Sequence, residues 1–235
     1  MSVLRTALVV LFLGPYAILA SIFGYPIARL AGSPAVLYSL GRFGIRTAFV
    51  LAGIRVSFEG LETLYEARNT VLMPNHVSHL DAAILFGLLP VPWKAVVKRE
   101  LYRFPLVHYC LRYAGFIDVD RSEPSQARSA IARAVASLKA GSAFIIFPEG
   151  TRSTSGELGA FKKGAFAVAI EAQSRIVPAA ILDAAQLMPK GGFRIRPGTV
   201  RVRLLDPVDA GEYSYDDRDG LVTEVRGRIA RALAG

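Results

Sequence analysis

The sequence predicts an α/β domain, a single mixed or largely parallel sheet flanked by helices, preceded by an N-terminal membrane-associating helical segment. Three observations predict it. From residue 55 onward, short apolar runs of strand length alternate with helical stretches, the pattern of βα units. Polar clusters follow three of those runs: NHVSHLD (75–81), Arg121, and PEGTRS (148–153). In such sheets, sites form in the loops at the carboxyl ends of strands. Finally, residues 1–58 hold Arg5, Arg29, Arg42, Arg46 and Arg55 and no acid, a texture that ends at Glu59. The expected organisation is a membrane-associating segment over residues 1–54 and the α/β domain over residues 55–235.

Taken in order, the 23 residues between Arg5 and Arg29 are uncharged and mostly apolar. As a helix they are about 35 Å long, enough for a hydrocarbon core of about 30 Å. Gly14-Pro15 and Pro26 make a kinked, shallowly buried or re-entrant helix as plausible as a straight span. A cleaved signal peptide is the competing reading, with Arg5, a short apolar core and small residues near Ala20; the apolar character continues well past Ala20 and opposes it. The stretch Ala35 to Ile54 places Arg42 and Arg46 on one helical face, as an interfacial helix does at anionic headgroups. RVSFEG alternates as a half-buried strand. TVLM is a short buried strand ended by Pro74, and Leu80 to Leu89 a helix ended by Pro90 and Pro92. KAVVK is a strand, Phe104 to Gly115 a helix with a glycine stop, and FIDVD a strand. Ser125 to Gly141 is an amphipathic helix with Ser125 as a possible cap. SAFIIF is a buried strand, AFAVAIEAQ a helix, and IVPAAIL and TVRVRLL are strands. Asp216 to Leu233 closes the chain as an amphipathic helix.

Composition narrows the function. Over 235 residues the hydrophobic share is 52% and the formal net charge is +9. That balance suits an anionic partner: a membrane surface, a phosphorylated ligand or nucleic acid. Nucleic acid is the weakest of these, because the basic residues cluster with apolar ones and no aromatics are interleaved as stacking platforms. The single cysteine, Cys110, excludes an internal disulfide and a cysteine zinc cluster, and reads as a buried small residue. No HExxH or other metal spacing is present.

Among the chemistry-bearing residues, His76 is the natural general base, since imidazole titrates near neutrality. Asp81, five residues on, is placed to reach back from the first turn of the next helix and fix its tautomer. A polar turn with a strand-end histidine is the bland alternative. No G-x-S-x-G elbow occurs, so Ser78 is a poor covalent nucleophile and the chemistry points to direct attack by a substrate hydroxyl. His79 reads as a structural residue or a substrate contact, and His108, in an apolar helix, as core. PEGTRS places Arg152 on a turn made close-fitting by Gly150, and an arginine fork suits phosphate oxygens. GAFKKG resembles part of a phosphate loop, but Ala165 stands where the lysine of that loop belongs, so a P-loop is rejected. Lys162 and Lys163 read equally well as a solvated pair. Arg194, Arg196, Arg201 and Arg203 alternate around a Pro-Gly turn, as on one face of a hairpin.

The blocks NHVSHLD, VKRELYRFPLVHYCLRYAGFIDVDR, FPEGTRS and IVPAAI, in that order, resemble the glycerolipid acyltransferases, most closely the bacterial 1-acyl-sn-glycerol-3-phosphate (lysophosphatidic acid) acyltransferase branch. The likeness runs from about residue 55 to 208. It implies that His76 is the base and Asp81 its partner, with Asn75 and Ser78 in the same loop. It implies that Glu149, Gly150, Thr151 and Arg152 bind the acceptor phosphate, assisted by Lys98 and Arg121, and that Pro178 lies near the acyl donor. The activity implied is transfer of a fatty acyl group from acyl-CoA or acyl-carrier protein to the sn-2 hydroxyl, giving phosphatidic acid. It needs no metal and no cofactor beyond that co-substrate. The implied partners are lysophosphatidic acid, the acyl carrier and an anionic membrane surface, with no nucleic acid. The implied location is the membrane, at the cytoplasmic face of a bacterial inner membrane. Two readings compete: another lysolipid acceptor such as lyso-ornithine lipid, and a non-catalytic basic membrane-binding protein in which NHVSHLD is only a turn.

Overall fold

The computed structural model describes residues 2–103, 105–120, 123–153 and 156–235. Two helices come first, α1 (Ser2–Leu30) and α2 (Ala35–Ala52). By length and composition both are long and apolar enough to cross a membrane, which makes them candidate membrane-associating segments. α1 continues through Pro15 and Pro26, although each proline removes one helical hydrogen bond. The two helices pack closely because α2 offers a glycine to an aromatic ring: a Cβ on Gly44 would stand 2.5 Å from the Tyr16 ring. The Tyr16 hydroxyl in turn donates to Leu40 O across 2.7 Å.

The α/β part follows as β1 (Ile54–Glu59), β2 (Thr70–Pro74), α3 (Leu80–Leu88), β3 (Lys94–Lys98), α4 (Pro105–Tyr113), β4 (Ile117–Val119), α5 (Pro124–Lys139), β5 (Ala143–Ile145), α6 (Lys163–Glu171), β6 (Arg175–Leu182), α7 (Ala184–Leu187), β7 (Gly198–Leu204), β8 (Val208–Asp209) and α8 (Arg218–Ala234). These strands form an eight-stranded sheet in the order β1-β7-β6-β2-β5-β3-β4, with β8 beside β6. Pairing is parallel except for β6 with β7 and β6 with β8. The sheet is therefore mixed and mostly parallel.

Helices cover both faces, and strand alternation divides the core. From β2, Leu72 joins Ile84 and Leu85 of α3 on one face, while Val71 and Met73 join Phe166 of α6 and Leu221 of α8 on the other. β2 is buried along its whole length, as a central parallel strand must be. The first face also takes Val9, Ala48, Phe49 and Ala52 from α1 and α2, so one core runs across residue 54. α2 is seated on the domain by hydrogen bonds as well. Tyr38 donates to the carbonyls of Trp93 (3.2 Å) and Ala114 (3.0 Å), and Arg42 to Pro90 O at 2.7 Å. The expected arginine row of α2 is thereby broken: Arg42 is half-buried and serves the carbonyl past α3, and only Arg46 is exposed.

The topology makes one crevice special. From β2 the chain crosses over α3 to β3, and from β5 it crosses over α6 to β6 on the opposite side of β2. β2 and β5 are neighbours, so their following loops diverge at the carboxyl ends of the sheet, where ligands bind in open α/β folds.

Candidate active site

The two loops that leave this switch point carry NHVSHLD and PEGTRS. Asn75 starts the first by extending β2 with its side chain: Oδ1 accepts from Ile181 N (2.7 Å) and Nδ2 donates to Ile181 O (3.0 Å). The loop then folds around one carboxylate. Asp81, in the first turn of α3, is 0% exposed. Its Oδ2 meets Nδ1 of His76 at 2.8 Å and accepts from Val77 N and Ser78 N, each also at 2.8 Å. A carboxylate so supplied with backbone donors stays an acceptor, so Nδ1 carries the proton and Nε2 is left basic. The His76 ring stacks on Phe147, with centroids 3.9 Å apart at 24°, which fixes its plane.

Ser78 is no nucleophile. It is buried, donates to Met188 O (2.6 Å) and accepts from Leu80 N (3.1 Å), so it bolts the loop to the segment after α7.

The second loop is laid along the first. Ser153 N donates to His76 O at 2.8 Å. Glu149 Oε1 accepts from His76 N (2.7 Å) and Oε2 from Gly159 N (3.1 Å). This corrects the reading of Glu149 as a phosphate ligand: both oxygens are occupied by backbone N–H groups, the side chain is buried, and a carboxylate repels phosphate. Burial also pushes its carboxyl above the usual range, partly offset by those two N–H bonds. Glu149 is a clamp between the loops. Gly150 turns at φ 69°, a conformation that favours glycine, and a Cβ there would stand 2.9 Å from the Lys162 side chain lying over it.

His76, Gly150, Thr151, Arg152 and Lys98 line one cleft of about 810 Å³. Lys98 stands exposed at the end of β3. Arg152 is half-buried and its Nη1 is a buried donor with no hydrogen-bond partner among the described residues. Arg121 lies outside the described residues. The rest of the lining is largely apolar, including Phe86, Val97, Ile146 and Phe147. His79 borders the cleft, and burial, followed by the Arg152 and His76 charges, lowers its pKa, which favours the neutral ring.

Other sequence expectations fall elsewhere. Pro178 lies inside β6, buried and in register with Met73, and is not part of the cleft lining. It is tolerated where the β7 ladder gives out, its carbonyl accepting from Leu205 N just past β7. Arg194 to Arg203 do not form a hairpin: β7 pairs with β1 and β6, Arg201 binds Asp183 (3.1 Å) and Arg203 binds Glu59 (3.0 Å). His108 is not core but half-exposed, stacked on Tyr109. Cys110 is half-buried. Lys163 pairs with exposed Asp219 at 2.7 Å. Ser125 is not the cap of α5: Pro124 takes the first helical position and Glu123 the cap. Among the described residues no cluster of histidine, cysteine or carboxylates is placed to hold a metal. The role of Phe147 was not legible, because nothing in a strand-end phenylalanine marks the ring it will face.

Residues 55–182 match the Acyltransferase family. Among curated relatives, a 1-acyl-sn-glycerol-3-phosphate acyltransferase of Pseudomonas aeruginosa is 34% identical over 204 residues, covering 85% of this chain and 78% of its own. An enzyme of the same name from Limnanthes alba is 32% identical over 184 residues, covering 78% of this chain. The chain spans 65% of that plant relative's length, and 49% of the chloroplastic LPAT1 of Arabidopsis thaliana. Among solved structures, the 1-acyl-sn-glycerophosphate (LPA) acyltransferase PlsC of Thermotoga maritima superposes with a TM-score of 0.81 at 26% identity, covering 99% of this chain and 96% of that one.

Proposed function

Because the chain belongs to the acyltransferase family, we propose that it transfers a fatty acyl group from a thioester donor, acyl-CoA or acyl-carrier protein, to the sn-2 hydroxyl of 1-acyl-sn-glycerol 3-phosphate. The observation that carries this reading is the pairing of two features in one cleft. One is a histidine base held by a buried aspartate; the other is a buried guanidinium N–H that has no partner among the described residues. The base suits a hydroxyl, the guanidinium suits a phosphate, and the apolar walls suit an acyl chain.

The reaction follows from those positions. Arg152, with Lys98 assisting, holds the acceptor phosphate, while Gly150 makes the turn that lies under Lys162; Arg121 is assigned to assist on the resemblance alone. Thr151 adds a hydroxyl to the cleft wall. Nε2 of His76 takes the proton of the hydroxyl as its oxygen attacks the thioester carbonyl. Asp81 stabilises the imidazolium that forms. The tetrahedral intermediate then expels the thiolate, which takes the proton back from His76, so the histidine is unchanged after each turnover. General-base catalysis of this kind contributes about 10²–10⁴ in rate, and positioning by the phosphate grip supplies more. No metal or cofactor is required, because the thioester is itself the activated substrate. The apolar α1 and α2 hold the cleft at a bilayer that dissolves the acceptor; in a bacterial cell this is the cytoplasmic face of the inner membrane, where acyl carriers are available.

Acceptor identity is tested by supplying labelled acyl-CoA or acyl-carrier protein with lysophosphatidic acid, other lysophospholipids, glycerol 3-phosphate and a lyso-ornithine lipid, then separating the products. Phosphatidic acid as the main product supports the proposal. Transfer to another acceptor alone replaces the substrate, and no transfer to any of them leaves only a membrane-binding protein.

A further inference from the structure

The segment between α7 and β7, residues 188–197 (MPKGGFRIRP), touches both loops of the site and α1. Ser78 bonds Met188 O at 2.6 Å and pairs with Pro189. Lys190 Nζ donates to Arg152 O at 2.6 Å. On the other limb, Ile195 N donates to Thr6 Oγ1 of α1 at 2.9 Å, and the Ile195 side chain is buried. Between these tethers the tip is free to face outward. Gly191 (φ 82°) and Gly192 turn the chain, and Phe193 follows, 76% exposed, its ring 6.3 Å from that of His79 at the cleft edge. Arg194 and Arg196 are exposed on either side of Ile195. No acid occurs between Asp183 and Asp206. Near Thr6, α1 exposes Val3, Leu4 and Leu8, so the tip stands beside the apolar surface of the first helix.

An exposed aromatic followed by two exposed arginines, beside an apolar helix, has the chemistry of an interfacial anchor. We propose that this loop inserts into the surface of an anionic phospholipid bilayer, Phe193 entering at the acyl-chain boundary and Arg194 and Arg196 resting on headgroup phosphates. Its tethers to Ser78 and Arg152 then align the cleft with the surface, so that a lysolipid passes His79 on its way to His76. The inference deepens the proposed function, because it rests on a lipid acceptor presented at a membrane.

The test uses the full chain in detergent and on vesicles. Trp93 is the sole tryptophan and is buried, so W93F gives a dark background in which F193W reports the tip. Vesicles of phosphatidylglycerol and phosphatidylcholine, with and without brominated chains, are added. The proposal expects a blue-shifted emission, strong quenching by the brominated chains and loss of acrylamide access. It is overturned if the protein sediments with the vesicles while the indole stays in water. Failure to sediment at all would overturn this inference and the membrane reading together. Should W93F not fold, F193S in the natural background decides. It should raise the apparent KM for vesicle-presented lysophosphatidic acid about tenfold while leaving kcat/KM for a monomeric short-chain acceptor unchanged. Equal loss on both acceptors, or no loss on either, would contradict the proposal.

Discussion

At the scale of single residues, the site turns on how many bonds one carboxylate oxygen accepts. Asp81 Oδ2 receives His76 and two backbone N–H groups. Replacing Asp81 with Asn puts an amide among donors and favours the wrong tautomer of His76, so kcat should fall by about 10³–10⁴. Single-turnover measurement with the folded variant checks this. Glu149→Gln tests the clamp. One of its two N–H bonds loses its acceptor, and turnover should drop at least tenfold through kcat, with acceptor KM little changed. Its burial-raised carboxyl also makes a pH prediction. The native state holds the Glu149 proton more tightly than the unfolded chain, so its contribution to stability falls as pH rises from about 4.5 through the raised folded value, then levels. Denaturant melts of wild type and Glu149→Gln across that range should diverge, the variant lacking this component. That His76 would meet Asp81 and that Arg152 would line the same cleft was legible, because these residue types invite such placement after a strand. The clamp role of Glu149 was not, since only the folded loops bring backbone N–H groups to both its oxygens.

Among the elements, β2 and β5 do the positioning, and local patterns found them well. KAVVK is β3 in full, and TVLM lies within β2. What failed was pairing. TVRVRLL is correctly a strand, but it pairs with β6 across the segment that holds α7 and with distant β1, and no local spacing reveals that. The helical pair makes its own prediction. Gly44→Leu would drive a side chain into the Tyr16 ring, costing about 1–3 kcal/mol as overpacking does. Thermal unfolding in detergent should show the loss, whereas Gly14→Leu, where a Cβ meets nothing within 4 Å, should not show an overpacking loss.

For the whole molecule, the sequence divides at residue 54 by charge and composition, yet Val9, Ala48 and Phe49 share a core with Leu72 and Ile84. Residues 55–235 expressed alone should therefore expose an apolar face of α3 and β1 and aggregate, as read by size-exclusion in detergent-free buffer. The switch-point crevice explains how two motifs about 70 residues apart come to line one cleft. β5 is the later strand, but it inserts between β2 and β3, bringing PEGTRS to NHVSHLD. The central claim is that His76 moves the proton while Arg152 holds the phosphate. It is tested most directly by steady-state acyl transfer to lysophosphatidic acid in mixed micelles, comparing wild type, His76→Ala and Arg152→Ala after each is checked for folding. The account predicts that His76→Ala lowers kcat by about 10²–10⁴, and that Arg152→Ala raises acceptor KM by roughly 10–100-fold with a smaller effect on kcat. Wild-type turnover surviving in His76→Ala, or an unchanged acceptor KM in Arg152→Ala, would contradict it.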